Sequence, residues 1–202
     1  MANKIYTIGR EFGSGGREVG EKLAAKLGIK LYDKELLQQA AKDSGFCEEI
    51  FENHDEKPTN SFLYSLVMDT YSVSGYSAAP FLDMPLNHKV FLAQFETIKK
   101  IAEKESCVIV GRCADYLLKD EADCLTVFIH ADMDKRAERI VKQYGERSES
   151  PEKRLKDKDK RRAAYYQFYT DTQWGIAGNY HVSLDSGVLG IEKCVDVLVG
   201  LY

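Results

Sequence analysis

The residues of this sequence best suited to chemistry lie in GREFGSGGREVGEKL, from Gly9 to Leu23. Gly13, Ser14, Gly15 and Gly16 can aim backbone N–H groups at an anion, because glycine tolerates positive φ and adds no Cβ bulk. Arg17 and Glu18 follow at the start of a helical period, and the positive end of a helix favours phosphate. The turn therefore reads as a phosphate-binding loop, although the strict pattern GxxxxGK[ST] is absent. With Gly15 as the late glycine, Gly16 takes the lysine position and Arg10 the first glycine position. With Gly16 as the late glycine, Arg17 replaces the lysine and Glu18 replaces the Ser/Thr that reaches Mg2+. Arg17 would then supply the missing charge, although guanidinium and ammonium are not interchangeable at a close site. The plain alternative is a glycine-rich turn that binds nothing.

Such a loop must be held between a strand and a helix, and the flanking pattern supplies both. Lys4–Ile8 is a β-prone run ending at Gly9, and Arg17–Leu27 carries Val19, Leu23 and Leu27 on one helical face, stopped by Gly28. Ile29–Tyr32 predicts a second strand, and Asp33 an N-cap for a helix over Lys34–Lys42. Further on, Cys107–Val110 and Leu125–His130 are apolar runs of the kind buried on both faces of a parallel sheet. A helix over Lys89–Glu105 precedes them, and another, capped near Asp132 and carrying Ala137, Ile140 and Val141, follows. Tyr180–Leu184 and Ile191–Leu201 predict the last strand and helix. Strands alternating with helices imply an α/β fold with a mostly parallel sheet covered on both sides. Between them, residues 43–88 are broken by Pro58, Pro80 and Pro85 and read as a mobile insert with short helical pieces, one near Phe62–Thr70; residues 145–162 are dominated by charge.

With 202 residues the chain is long enough for one α/β domain and an insert. A net charge of −4 gives no general field for nucleic acid, so a bound anion needs a local site. Five cysteines without CxxC spacing suit a reducing compartment better than a zinc site or a disulfide framework. His54, His88, His130 and His181 have no metal spacing. No apolar run reaches membrane-spanning length, and the expected location is the cytoplasm.

Several segments together resemble the cytidylate kinase-like family of P-loop nucleoside monophosphate kinases. YTIGREFGSGGREVGEKLAAKLGIKLYDKELL is similar to that family's opening, and CVIVGRCADYLL to its strand followed by Gly-Arg. LTVFIHADMDKRAERI resembles its fourth strand and the helix feeding its lid, and YHVSLDSGVLGIEKCVDVL its closing strand and helix. The resemblance implies a three-layer P-loop NTPase fold with a five-stranded parallel sheet, an acceptor-binding insert at 43–88 and an arginine-bearing lid at 145–178. It also implies transfer of the ATP γ-phosphoryl group, with Mg2+ expected from the chemistry, though no protein ligand for it stands out.

On this resemblance Arg112 contacts the acceptor's phosphate, and Lys158, Asp159 and Arg162 in KDKDKRR hold its sugar and phosphate. Asp33 reads as an N-cap first and as a substrate or Mg2+ group second. Arg136, Arg139, Arg147 or Arg154 would neutralise the transition state. Three positions differ from true cytidylate kinases: Cys113 replaces an aspartate that helps read cytosine, Lys34 replaces a serine, and Gln39 stands where a phosphate-binding arginine is found. The acceptor is thus a CMP-like nucleoside monophosphate or another small phosphorylated molecule. Arg112 pairing with a structural carboxylate, and the lid as a solvated charged helix, are the bland alternatives. Tyr165, Tyr166, Phe168, Tyr169 and Trp174 read as a base-stacking surface, as packing of the lid's second helix, or as a homodimer contact. A catalytically inactive nucleotide sensor is the competing functional class.

Overall fold

Period-two alternation in the apolar runs decides which side chains leave the sheet on which face, and the sheet they build has five parallel strands. A computed structural model describes residues 3–45, 49–50, 86–120 and 123–201. The strands are β1 (Ile5–Arg10), β2 (Lys30–Tyr32), β3 (Cys107–Val110), β4 (Cys124–His130) and β5 (Val182–Asp185), in the order β2-β3-β1-β4-β5. β1 is central: Ile5 pairs in register with Cys107 of β3 on one side and with Cys124 of β4 on the other.

The helices are α1 (Gly16–Leu27), α2 (Lys34–Ser44), α3 (Leu86–Lys104), α4 (Ala114–Leu117), α5 (Met133–Tyr144), α6 (Pro151–Thr170), α7 (Ser186–Leu189) and α8 (Ile191–Gly200). They cover the sheet as two outer layers. Tyr6, Ile8, Val108, Val110, Val127 and Ile129 face α1 and α8, where Val19, Leu23, Cys194 and Leu198 complete a buried cluster. The alternate residues Ile5, Cys107 and Ile109 face α2, α3 and α4 through Leu36, Ile98 and Leu118. Side chains such as Leu23 and Ile98 are wholly buried, each contributing about 2 kcal/mol of apolar transfer. The cysteines at 107, 113, 124 and 194 are buried free thiols, used as small apolar residues.

Helix ends follow the sequence signals in some places and depart from them in others. Gly28 adopts φ 66° and returns its N–H to the carbonyls of Ala24 and Ala25, as its position predicts. Ser150 accepts from the Lys153 N–H, and Pro151 takes the first helical position, where its missing donor costs nothing. Asp33 occupies the N-cap position of α2 but makes no side-chain cap bond. The segment expected to form the lid holds one continuous 20-residue helix, α6, so Tyr165, Tyr166, Phe168 and Tyr169, expected on a second helix, lie on the same one, and Trp174 follows beyond its end. Their packing is internal: Phe91 stacks on Tyr169 at 3.9 Å, and Tyr165 and Tyr166 are buried beside Cys113. The last strand begins at Val182, later than expected, because Tyr180 turns onto Phe128 at 4.9 Å. The proposed insert, including the helix expected near Phe62–Thr70, lies almost wholly outside the described residues. No helix among the described residues is long and apolar enough to cross a membrane.

Candidate active site at the carboxyl edge of the sheet

The carboxyl ends of β1, β3 and β4 meet where the connection from β1 runs to one face of the sheet and that from its neighbour β3 to the other, the place where open α/β sheets bind ligands. From Arg10 the chain turns into α1 through Gly13 and Gly15, at φ 77° and 80°. These glycines are imposed by their neighbours as well as by φ. A Cβ on Gly13 would lie 2.9 Å from Ile140 Cγ2, and one on Gly15 would lie 2.5 Å from Ile191 Cδ1. Ser14 braces the turn from within: its hydroxyl donates to the Glu11 carbonyl and accepts the Gly16 N–H. Its carbonyl in turn accepts from Ser186 Oγ of α7. Gly15 at the N-cap offers no side-chain cap, and the N–H groups of Arg17 and Glu18 in the first turn of α1 have no carbonyl four residues back within the helix to bond.

These N–H groups open into a cleft of about 740 Å³, the size of a small-molecule site. Among the described residues its walls carry Arg10, Arg17, Lys135, Arg139, Lys142 and Arg162 against four glutamates, a cationic surface within an acidic chain. Arg139 reaches the loop directly, donating to the Gly13 carbonyl at 2.7 Å. Glu18 lies in the first turn of α1, paired with Lys22 at 3.0 Å. Among the described residues no group of three or more His, Cys, Asp or Glu side chains could hold a metal by itself. A single carboxylate such as Glu18 in the wall of a cationic cleft nonetheless suits Mg2+, which takes one or two carboxylates and fills its other positions with phosphate oxygens and water.

Asp33 is the junction of the site. Its Oδ2 holds Arg17 Nε at 2.9 Å and its Oδ1 holds Arg112 Nη1 at 3.1 Å. Its carboxylate is thus occupied by two guanidiniums, which explains the missing cap bond. Arg112 is almost fully buried, donates also to the Val110 carbonyl, and sits at φ 55° between Gly111 and Cys113, both likewise in the left-handed region. Two consecutive non-glycine residues held there store strain of order 1 kcal/mol or more each, which surrounding structure must hold in place. Arg17 is half exposed and also meets Glu21 at 3.3 Å.

Helix α6 is fastened to the loop. Asp159 Oδ1 accepts the Phe12 N–H at 2.7 Å, and its Oδ2 pairs with the buried Arg136. Arg162 donates to the Arg10 carbonyl at 3.3 Å and lies over the Phe12 ring at 5.8 Å. Lys158 lies on the exposed side of α6 and lines neither this cleft nor the smaller one beside it.

The smaller cleft, about 20 Å³, lies between Arg10, Arg112, Arg162, Asp115 and the rings of Tyr166 and Trp174. Asp115 is absent from the sequence-level site, although a lone acid inside the apolar stretch CADYLL is a legible signal for a buried polar role. It is buried, accepts from the Tyr166 hydroxyl at 2.6 Å, and burial pushes its carboxyl above the usual range. Burial also raises the hydroxyls of Tyr166 and Tyr180. Because the folded state holds the Asp115 proton more tightly than the unfolded chain, this residue's contribution to stability falls as pH rises from about 3.8. Asp115→Asn is expected to remove that slope; melting temperatures of both proteins between pH 4 and 8 test it, and parallel curves would refute it.

The profile of the cytidylate kinase-like family matches residues 5–188. A solved structure described as an uncharacterized protein from Eubacterium ventriosum is 30% identical, covers 98% of this chain and 98% of its own, and superposes with a TM-score of 0.73. A shikimate kinase from Acinetobacter baumannii, in complex with shikimate, is 15% identical over 100% of this chain and 93% of its own, at a TM-score of 0.53. A gluconokinase from Sinorhizobium meliloti gives the same identity and TM-score over 99% and 93%. No curated protein matches in sequence. At such identity the two kinases show a shared P-loop kinase fold.

Proposed function

Because the chain belongs to the cytidylate kinase-like family, we propose that it is an ATP-dependent phosphotransferase acting on a nucleoside monophosphate, CMP-like, or on another small phosphorylated acceptor. The observation that supports this most directly is the junction at Asp33. One carboxylate orients an arginine on the donor side, Arg17, and one on the acceptor side, Arg112, so the two charges converge where a phosphoryl group would pass. Phosphoryl transfer asks the protein for positioning and charge neutralisation above all.

In this reading the ATP phosphates lie against the turn Gly13–Gly16 and the N–H groups of the first turn of α1, flanked by Arg17 and Arg139. Glu18 is the side chain placed to share Mg2+ with them; when bound, the ion supplies charge neutralisation across the phosphates. Arg112, just after β3, and Arg162 of α6 face the acceptor's phosphate, Asp159 keeps α6 on the loop, and Lys158, on the exposed side of α6, would reach the acceptor only from outside both clefts. Arg136 and Arg154 are buried and Arg147 is exposed and lines neither cleft, so Arg139 is the arginine of that set best placed to reach the reacting phosphate. A location in the cytoplasm, action without nucleic acid, and a single domain with its insert at 43–88 and lid at 145–178 belong to the same reading; a homodimer is compatible with it.

The competing reading, a nucleotide sensor without turnover, draws support from the missing loop lysine and from the pairing of Arg17 with Asp33 and Glu21. Melting curves with ATP, CMP, other nucleoside monophosphates and phosphorylated metabolites, each with and without Mg2+, separate the cases. We expect stabilisation by ATP and by one acceptor class, followed by ADP formation when both are present. Stabilisation by ATP without ADP formation for any acceptor would favour the sensor.

A further inference from the structure

When Gly15 is taken as the late glycine of the phosphate loop, Arg10 stands where the strict pattern has its first glycine and Gly16 where it has its lysine. The fold makes these two positions direct neighbours. A Cβ on Gly16 would lie 2.5 Å from Arg10 Cβ and 3.1 Å from Arg10 Cγ. The stem of Arg10 fills the volume that a loop side chain at 16 would need, so the two departures from the pattern are one exchange. We infer that Arg10 is a phosphate-binding residue of this site, its guanidinium supplying from the end of β1 the charge that a loop lysine supplies from the start of a helix.

Arg10 is placed for this role by rigid structure. It ends the central strand, in register with Ile129 of β4, and its carbonyl is held by Arg162. It lines both the 740 Å³ cleft and the smaller one, at the wall the two share. Its charge reaches Asp115, whose carboxyl it draws toward ionisation against the effect of burial. Arg17, by contrast, lines only the larger cleft, and its guanidinium is already paired with Asp33 and Glu21. A guanidinium at the shared wall offers the planar, two-pronged donation that phosphate oxygens accept.

This inference rests on the donor site proposed above, and the test separates the two. Calorimetric titration of the full chain with tripolyphosphate and with Mg-ATP is made on wild type, Arg10→Ala, Arg17→Ala, Gly16→Lys and the double variant Arg10→Gly/Gly16→Lys, with unliganded melting temperatures alongside. Arg10→Ala should weaken both ligands by about 10- to 100-fold, the loss of a charge-assisted contact, and more than Arg17→Ala does. Gly16→Lys alone should weaken binding or unfold the protein, because its side chain meets the Arg10 stem. The double variant, whose loop reads GEFGSGK, should return to within a few-fold of wild type. Binding of tripolyphosphate by Arg10→Ala at wild-type strength would overturn the inference, as would failure of a folded double variant to recover. If wild type binds neither ligand, the donor site itself is refuted and Arg10 with it. Wild type that binds both but transfers no phosphate to any acceptor refutes the reaction and leaves the role of Arg10 standing.

Discussion

Arg112→Ala is expected to lower kcat/KM for the acceptor by about 100- to 1,000-fold while leaving the ATP dissociation constant within a few-fold of wild type. The same change should cost about 3 kcal/mol of stability, because it breaks an ion pair buried at 3% side-chain exposure. Asp33 keeps Arg17 as a partner, which holds the cost at the lower end for a buried pair. Backbone strain adds a second readout. At φ 55° an alanine inherits the strain that arginine bears, whereas glycine does not, so Arg112→Gly should be the more stable of the two by about 1 kcal/mol and equally poor with the acceptor. Arg112→Lys should fold but remain impaired, since an ammonium can still donate to Asp33 and the Val110 carbonyl but lacks the planar, two-pronged donation that a phosphate accepts. Urea unfolding and steady-state kinetics on the three variants measure this. Wild-type acceptor kinetics in a folded Arg112→Ala would reduce Arg112 to a structural partner of Asp33.

Gly15→Val should cost about 3 kcal/mol and remove nucleotide binding. A β-branched residue at φ 80° is strained wherever it stands, and here its Cβ would also lie 2.5 Å from Ile191 Cδ1 and 3.4 Å from the Arg139 guanidinium. The two costs can be separated. Ile191→Ala added to Gly15→Val removes the collision with α8 but not the backbone strain, so stability should recover in part while binding does not. Calorimetric titration with ATP and thermal melts of the single and double variants test this. ATP binding at wild-type affinity by Gly15→Val would show that the turn and the first N–H groups of α1 do not hold phosphate.

The architecture was legible because it follows from local periodicity. Cys107–Val110 is apolar at every position, and a strand buried on both faces is what such a run makes in a parallel sheet. Gly28 stops α1, and the glycines at 13 and 15 mark the turn, because the backbone angles they adopt are accessible to few other residues. The resemblance carried by GREFGSGGREVGEKL and CVIVGRC added the number of strands, which periodicity alone leaves open. The sequence also raised both readings of Arg112, a ligand-binding arginine and the partner of a structural carboxylate, and the structure gives it such a partner in Asp33.

The relations among the site residues needed the tertiary structure. Asp33 reads locally as a helix cap, yet its two oxygens serve arginines 16 positions before it and 79 after it, because β1, β2 and β3 end side by side. Asp159 belongs locally to a charged helix, and becomes a fastening for the loop because α6 crosses the edge where Phe12 presents its N–H. Arg10 and Gly16 look like two unrelated departures from a pattern until the turn folds one over the other. Hydrophobic pattern tells each segment which face to bury, and that information is local. Which charge meets which carboxylate is decided by where the ends of distant strands are brought together, and that is a property of the assembled sheet.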